Sequence, residues 1–283
     1  MTDHVTLFEM APRDGLQNES GHIPTADKIR LIDLLSATGL TKIEATSFVS
    51  PKWVPQMADA ADVMAGLTRT QGVLYSALTP NTRGFDAAIT AGADEVAVFA
   101  SASEGFSKAN LNCTIEESLN RYRPVAKAAE SAGVPLRGYV SCITDCPYDG
   151  PTPPDNVARV ASDLIDMGCY EISLGDTIGH GTPKTVARVL DTLLHRIPAS
   201  RLAGHFHDTK GHALDNIKVG LDRGLRSFDS AAGGLGGCPY APGAAGNVAT
   251  EAVVNMLHAN GFTTGIDPER LSQAAVFAQS LRT

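Results

Sequence analysis

The chain is poor in aromatic residues (6%) and carries no excess of basic charge, since 23 Lys and Arg stand against 31 Asp and Glu among 283 residues. A formal net charge of −8 with a pI near 5.4 repels a phosphate backbone, and no clustered Lys/Arg patch offsets it, so nucleic acid is excluded as an expected partner. No window approaches the roughly 18 consecutive apolar residues of a membrane span, so no membrane association is expected. The first residues, MTDHVTLFEM, lack a basic leader, an apolar core and a cleavage site, which gives cytoplasmic localisation as the expectation. Five cysteines (Cys113, Cys142, Cys146, Cys169 and Cys238) are an odd and scattered set, which argues for reduced thiols and against a disulfide framework. A Gly-rich phosphate fingerprint is missing after the first strand-like segment, where APRDGLQNE stands instead, and this weighs against an open dinucleotide-binding sheet.

What is present is alternation. Short runs rich in Val, Ile, Phe and Tyr predict strands at His4–Glu9, Thr41–Thr46, Gly72–Ala77, Glu95–Ala100, Leu136–Cys142, Tyr170–Leu174, Leu202–His207 and Ser227–Ala231. Each is followed by a segment of helical period, at about Thr25–Ala37, Pro55–Leu67, Thr82–Ala91, Ile115–Ala132, Pro154–Met167, Pro183–Arg196, Lys210–Arg223 and Gly246–Asn260, with a further one at Pro268–Leu281. The repeat advances by about 32 residues, the length of a strand, a loop and a crossover helix. Gly39, Gly92, Gly133, Gly168 and Gly224 stand where helices should end in a left-handed residue before the next strand. Eight such units predict an α/β fold, a (β/α)8 TIM barrel with an additional C-terminal helix. The expected organisation is a single catalytic domain over residues 1–283, of which 265–283 form the helical extension.

In such a barrel, chemistry gathers where strands end and the following loops begin. The polar residues predicted on that rim are Glu9, Arg13 and Asp14 after the first strand, and Glu44, Thr46 and Ser47 on the second. Asp145 follows the fifth, Asp176 and Thr177 the sixth, and His205, His207 and Asp208 belong to the seventh. His205 and His207 are two apart on a strand, so both imidazoles face one side and can share a cation. Asp14, close by in a closed barrel, and Asn247, with its amide oxygen, complete an N2O2 set that suits six-coordinate Mg, Mn, Co or Fe(II) better than a closed zinc site. Arg13 beside Asp14 can hold that carboxylate ionised while offering its fork to an anionic oxygen. The loop Gly233–Cys238 reads as a lid whose thiol, Cys238, reaches the barrel mouth as an acid/base or nucleophile. Trp53 and the run Asn110, Leu111, Asn112 read as loop residues without an assigned role.

The segments APRDGLQNES, TSFVSPKWVPQM, RGYVSCITDCPYDG, CYEISLGDTIGHGTP and GGLGGCPYAPGAAGNVATE span nearly the whole chain, and together they resemble hydroxymethylglutaryl-CoA lyases. The resemblance implies a (β/α)8 barrel and cleavage of 3-hydroxy-3-methylglutaryl-CoA to acetyl-CoA and acetoacetate, with Mg or Mn bound. It places Asp14, His205, His207 and Asn247 as metal ligands. It makes Arg13 the group that stabilises the enolate oxygen and Cys238 the acid that protonates the carbanion, and it adds Glu9, Glu44 and Asp176 as further acidic residues of the site, Asp176 as the acceptor of the hydroxyl proton. It further implies an acyl-CoA small-molecule partner, a homodimer, a place in leucine degradation and ketone-body metabolism, and for some bacterial members longer 3-hydroxyglutaryl-CoA substrates. The alternative is an acetyl-CoA-dependent Claisen-condensing synthase of the same barrel superfamily acting on a 2-oxo acid. Two His and one carboxylate alone would also permit a hydrolase or an Fe(II) oxygenase.

Overall fold

The computed structural model describes residues 3–236 and 246–282. Eight strands form the expected closed sheet: β1 (Thr6–Glu9), β2 (Lys42–Ser47), β3 (Leu74–Leu78), β4 (Glu95–Ser101), β5 (Leu136–Ser141), β6 (Glu171–Asp176), β7 (Leu202–Phe206) and β8 (Ser227–Ser230). All neighbouring pairs are parallel, and β8 closes against β1 in the register Thr6↔Ser227 to Glu9↔Ser230. The crossover helices are α1 (Thr25–Ser36), α2 (Ala60–Gly66), α3 (Thr82–Thr90), α5 (Ile115–Ala132), α6 (Pro154–Asp166), α7 (Pro183–Leu194), α8 (Ala213–Asp222) and α9 (Thr250–Ala259), with α4 (Glu104–Leu111) inserted before α5 and α10 (Pro268–Ser280) last. The apolar core lies between the strands and this ring of helices, where Leu31, Ile43, Val96, Ile172, Val186 and Val253 are sealed from solvent.

Two departures from the expected element pattern bear on function. The turn Ala11–Gly15 is a short π-helix, which sequence periodicity cannot show because it holds a single turn. Its wide winding carries Arg13 and Asp14 over the end of β1. Helix α4 occupies a stretch expected to be loop; Ser103 caps it by accepting a hydrogen bond from the Phe106 N–H, and Asn112 ends it in the left-handed region at φ 52°. The capping signal was present in Ser103-Glu104, but eight residues gave too few turns for a period.

The inside of the barrel is not the stack of branched aliphatic side chains typical of the fold. A small cluster of Phe8, Met10, Leu78, Ala97 and Tyr139 shares it with buried ions. Arg137, fully buried, spans the interior: it donates to Asp229 through Nη1 (3.2 Å) and Nη2 (2.8 Å), to Glu171 through Nε (2.8 Å) and to the Tyr139 hydroxyl through Nη1 (3.0 Å). Its guanidinium also lies 4.5 Å from the Phe8 ring centroid. Toward the other end, Lys42 pairs with Glu95 and meets the Tyr170 hydroxyl at 2.6 Å. Each of these charges is thus paired with an opposite one, the condition under which ions tolerate loss of water, although Oε1 of Glu95 has no hydrogen-bond partner among the described residues.

All five glycines expected to end helices do have positive φ, from 65° to 107°. Gly39 has a second constraint, because a Cβ there would stand 2.3 Å from the Gly265 carbonyl oxygen. The last helix docks at this turn: the Asp267 N–H donates to the Thr38 carbonyl (2.7 Å) and Arg270 donates to that of Ala37 (2.9 Å). Gly39→Ala combines an unfavourable φ of 95° with a clash against backbone, so it should destabilise the fold by about 3 kcal/mol, read as a lowered Tm. Gly72→Ala, where φ is 88° and nothing lies within 4 Å, should cost clearly less.

Candidate active site

The strand ends place the site as the barrel closure dictates. His205 lies within β7 and His207 just beyond it, and their rings stand 5.4 Å apart between centroids. Asp14 arrives from the π-helical turn, so that its Oδ2 is 3.8 Å from His205 Nε2 and 3.9 Å from His207 Nε2. One ligand atom from each of the three residues falls within 4.8 Å of the others. Asn247, bridged to His207 across the backbone, turns its Nδ2 to Asp14 Oδ2 at 2.8 Å and to the Leu235 carbonyl at 3.2 Å.

The electrostatics favour a cation. Burial opposes ionisation of Asp14, but Arg13 and the two histidines outweigh it and hold the carboxyl well below the usual carboxylate range. Burial, reinforced by the neighbouring His205, pushes His207 down to about 4, so it is neutral and able to ligate. His205 Nδ1 is engaged by Asp229 Oδ2 at 3.0 Å, which leaves its Nε2 toward Asp14. Burial opposes protonation of His205, but the Asp229 and Asp14 carboxylates outweigh it and raise its imidazole. The donor chemistry fits a divalent ion: two imidazole nitrogens and one carboxylate oxygen converge, with Arg13 on the other oxygen of Asp14. Among the described residues, no hydrogen-bond partner faces the buried His207 Nδ1.

Arg13 is 6% exposed and stands between two carboxylates, with Nε on Glu44 and Nη1 on Asp14. Despite burial, those two charges keep it protonated. Its Nη2 meets the Met10 sulfur at 3.9 Å, a weak acceptor. Glu44, fully buried, also accepts from the Tyr139 hydroxyl at 3.1 Å. Arg13, Asp14, His205 and His207 all open into one cavity of about 770 Å³. Trp53, Lys108 and Asn110, to which no role fell from the sequence, line the same cavity because α4 and the loop after β2 form its walls.

Not every expected acidic residue reaches that cavity. Asp176 sits between Gly175 and Thr177, which do line it, and the alternation of the strand turns Asp176 the other way. There it accepts from the Thr144 hydroxyl and the Gly181 N–H, both at 2.8 Å. Glu9 is likewise sealed: Oε1 accepts the N–H groups of Ala11 (2.9 Å) and Ala232 (2.8 Å), and Oε2 the Thr250 hydroxyl (2.7 Å). It fastens the turn after β1 to the loop after β8. Cys238 lies outside the described residues. The residue that sequence reasoning missed is Asp229, whose signal was an ionisable side chain in the middle of a strand.

The HMGL-like family profile matches residues 4–277. The chain belongs to this family. Among its relatives, the mitochondrial hydroxymethylglutaryl-CoA lyase of Arabidopsis thaliana is 57% identical over 96% of the chain, which spans only 58% of that longer protein. The 3-hydroxy-3-isohexenylglutaryl-CoA/hydroxy-methylglutaryl-CoA lyase of Pseudomonas aeruginosa is 56% identical over 95% of the chain and 90% of its own length. The crystal structure of the HMG-CoA lyase from Brucella melitensis superimposes with a TM-score of 0.98 at 62% identity, covering 99% of both chains. That of an HMG-CoA lyase from Acinetobacter baumannii, in complex with coenzyme A and 3-methylmalate, does so at 0.93 and 37% identity, covering 99% of this chain and 91% of the other. An HMGL-like barrel with a converging Asp and two His is thus the frame in which the remaining residues are to be understood.

Burial of Glu9 raises its carboxyl from 4.5 to about 7, against three hydrogen bonds that favour the ionised form. The folded state then holds more protons than the unfolded one between those pH values, so stability falls as pH rises through the interval, by at most about 3 kcal/mol. Glu9→Gln keeps an acceptor for the two N–H groups and removes the titration. Urea unfolding at pH 5 and pH 7.5 should show the parent losing stability relative to Glu9→Gln; equal slopes would contradict the assignment.

Proposed function

We infer that the chain is a hydroxymethylglutaryl-CoA lyase, cleaving 3-hydroxy-3-methylglutaryl-CoA to acetyl-CoA and acetoacetate. The observation that carries the reading is the convergence of Asp14, His205 and His207 beside a buried, protonated Arg13 at one cavity of an HMGL-like barrel. Curated relatives at 52–57% identity are named for this lyase activity, which disfavours the condensing-synthase alternative.

Asp14, His205 and His207 would hold the divalent cation, and Asn247 would join them through its amide oxygen only if its Nδ2 leaves Asp14 and Leu235; Mg or Mn is proposed. When bound, such an ion acidifies the tertiary hydroxyl of the substrate and orients it with its neighbouring carboxylate. Loss of the hydroxyl proton lets its oxygen form the new carbonyl of acetoacetate. The electrons of the broken carbon–carbon bond pass into the thioester, giving an enolate. Arg13 serves that charge: two of its nitrogens are fixed by Glu44 and Asp14, and Nη2 is left as the donor for the thioester oxygen. Cys238, following the resemblance, returns a proton to the carbanion to complete acetyl-CoA. Asp176 takes the hydroxyl proton in that scheme only if its side chain leaves Thr144 and Gly181.

The substrate class extends to an acyl-CoA of greater length as part of the same proposal, since Val49, Val54, Phe106 and Leu111 give the cavity an apolar side. No helix among the described residues is long and apolar enough to cross a membrane. A cytoplasmic homodimer serving leucine degradation and ketone-body metabolism completes the proposal.

Purified protein with Mg2+ and 3-hydroxy-3-methylglutaryl-CoA should release acetoacetate, cease on chelation with EDTA and recover on adding Mg2+ or Mn2+; no acetoacetate under any of these conditions would overturn the assignment. Arg13→Gln should lower kcat by at least roughly 100-fold while Mn2+ affinity stays within about threefold of the parent, because it removes a donor to the developing charge and no ligand. Cys238→Ser should lose most turnover at an unchanged Tm.

A further inference from the structure

The two histidines of the site differ in what stands behind them. Among the described residues His207 Nδ1 is buried with no partner, whereas His205 Nδ1 meets Asp229 Oδ2 at 3.0 Å. Asp229 is itself held more tightly than a structural ion pair requires. Its Oδ1 accepts Arg137 Nη2 at 2.8 Å, and its Oδ2 accepts Arg137 Nη1 at 3.2 Å and the Ser173 hydroxyl at 2.6 Å. Arg137 is anchored in turn by Glu171 through Nε at 2.8 Å. The chain Glu171, Arg137, Asp229, His205 thus crosses four strands, β6, β5, β8 and β7, and ends on a residue of the candidate metal centre.

We propose that Asp229 is a positioning residue for the cation, acting through His205, and that Arg137 and Ser173 act by fixing Asp229. The carboxylate accepts the imidazole Nδ1–H, so the ring is confined to the tautomer whose lone pair is on Nε2, the nitrogen that faces Asp14. The adjacent negative charge also makes that nitrogen a better donor to a cation. That charge on Asp229 is matched by the Arg137 guanidinium, 2.8 Å away and equally buried. Bidentate contact with Arg137 removes its rotational freedom, and Ser173 holds the very oxygen that His205 uses. Without this support the His205 ring would be as unanchored at Nδ1 as that of His207.

The inference rests on the metal centre and not on the identity of the reaction, so Mn2+ binding without substrate tests it. Affinity is read by electron paramagnetic resonance of free Mn2+ for the full chain and three variants. Asp229→Asn should bind Mn2+ about 10- to 100-fold more weakly, and Ser173→Ala, which leaves every charge in place, about threefold to tenfold more weakly. Glu171→Gln, which alters the arm of Arg137 remote from Asp229, should stay within about threefold of the parent. Parental affinity in folded Asp229→Asn or in Ser173→Ala overturns the role, as does an equal loss in Glu171→Gln, which would mark a general loosening of the barrel. If Asp229→Asn does not fold, Ser173→Ala decides alone. A parent chain that binds no Mn2+ removes the centre itself, a failure distinct from turnover without acetoacetate.

Discussion

The hydrogen-bonded seam between β1 and β8 is the constraint on which the site depends. Residue 14 and residues 205 and 207 become neighbours only because the sheet curls until its first strand pairs with its last. The seam is reinforced above the strands by Glu9, whose carboxylate ties the turn after β1 to the backbone after β8 and to Thr250. An open sheet of the same strands would separate the histidines from Asp14 and leave each a solitary polar group. Closure therefore produces the chemistry, and the hydrogen bonds of Glu9 serve the closure.

Closing the barrel also creates an interior that must be filled. Here much of the filling is ionic, and it is stable because each charge finds an opposite one within hydrogen-bond reach. That choice links the floor of the barrel to its mouth: what satisfies Arg137 also orients His205. The acidity of the chain as a whole, with its net charge of −8, does not oppose an anionic substrate, because at the mouth Asp14 and Glu44 are matched by Arg13, and the donor set of Asp14, His205 and His207 suits a divalent cation.

Much of this was legible from residue order. The strand periods, the helix-ending glycines such as Gly39 and Gly224, and the one-sided spacing of His205 and His207 express local rules, and local rules survive folding. Asp14 joined them because a closed barrel makes the first and last strands adjacent. The π-helical turn and α4 escaped notice for want of length. Asp176 and Glu9 illustrate a harder limit: a carboxylate at a strand end can face either side of the sheet, and only the pleat and the backbone donors around it decide. Asp229 and Arg137 show the converse, for two ionisable residues inside apolar strands each announced a need for a partner without revealing that the partner was the other.

The central claim is that one divalent cation binds where Asp14, His205 and His207 converge. Anomalous diffraction from crystals grown with Mn2+ tests it most directly. A single strong peak within bonding distance of Asp14 Oδ2 and of the Nε2 atoms of His205 and His207 is predicted, with Asp229 still on His205 Nδ1. A peak elsewhere, or none at the cluster with Mn2+ in excess, would contradict the account.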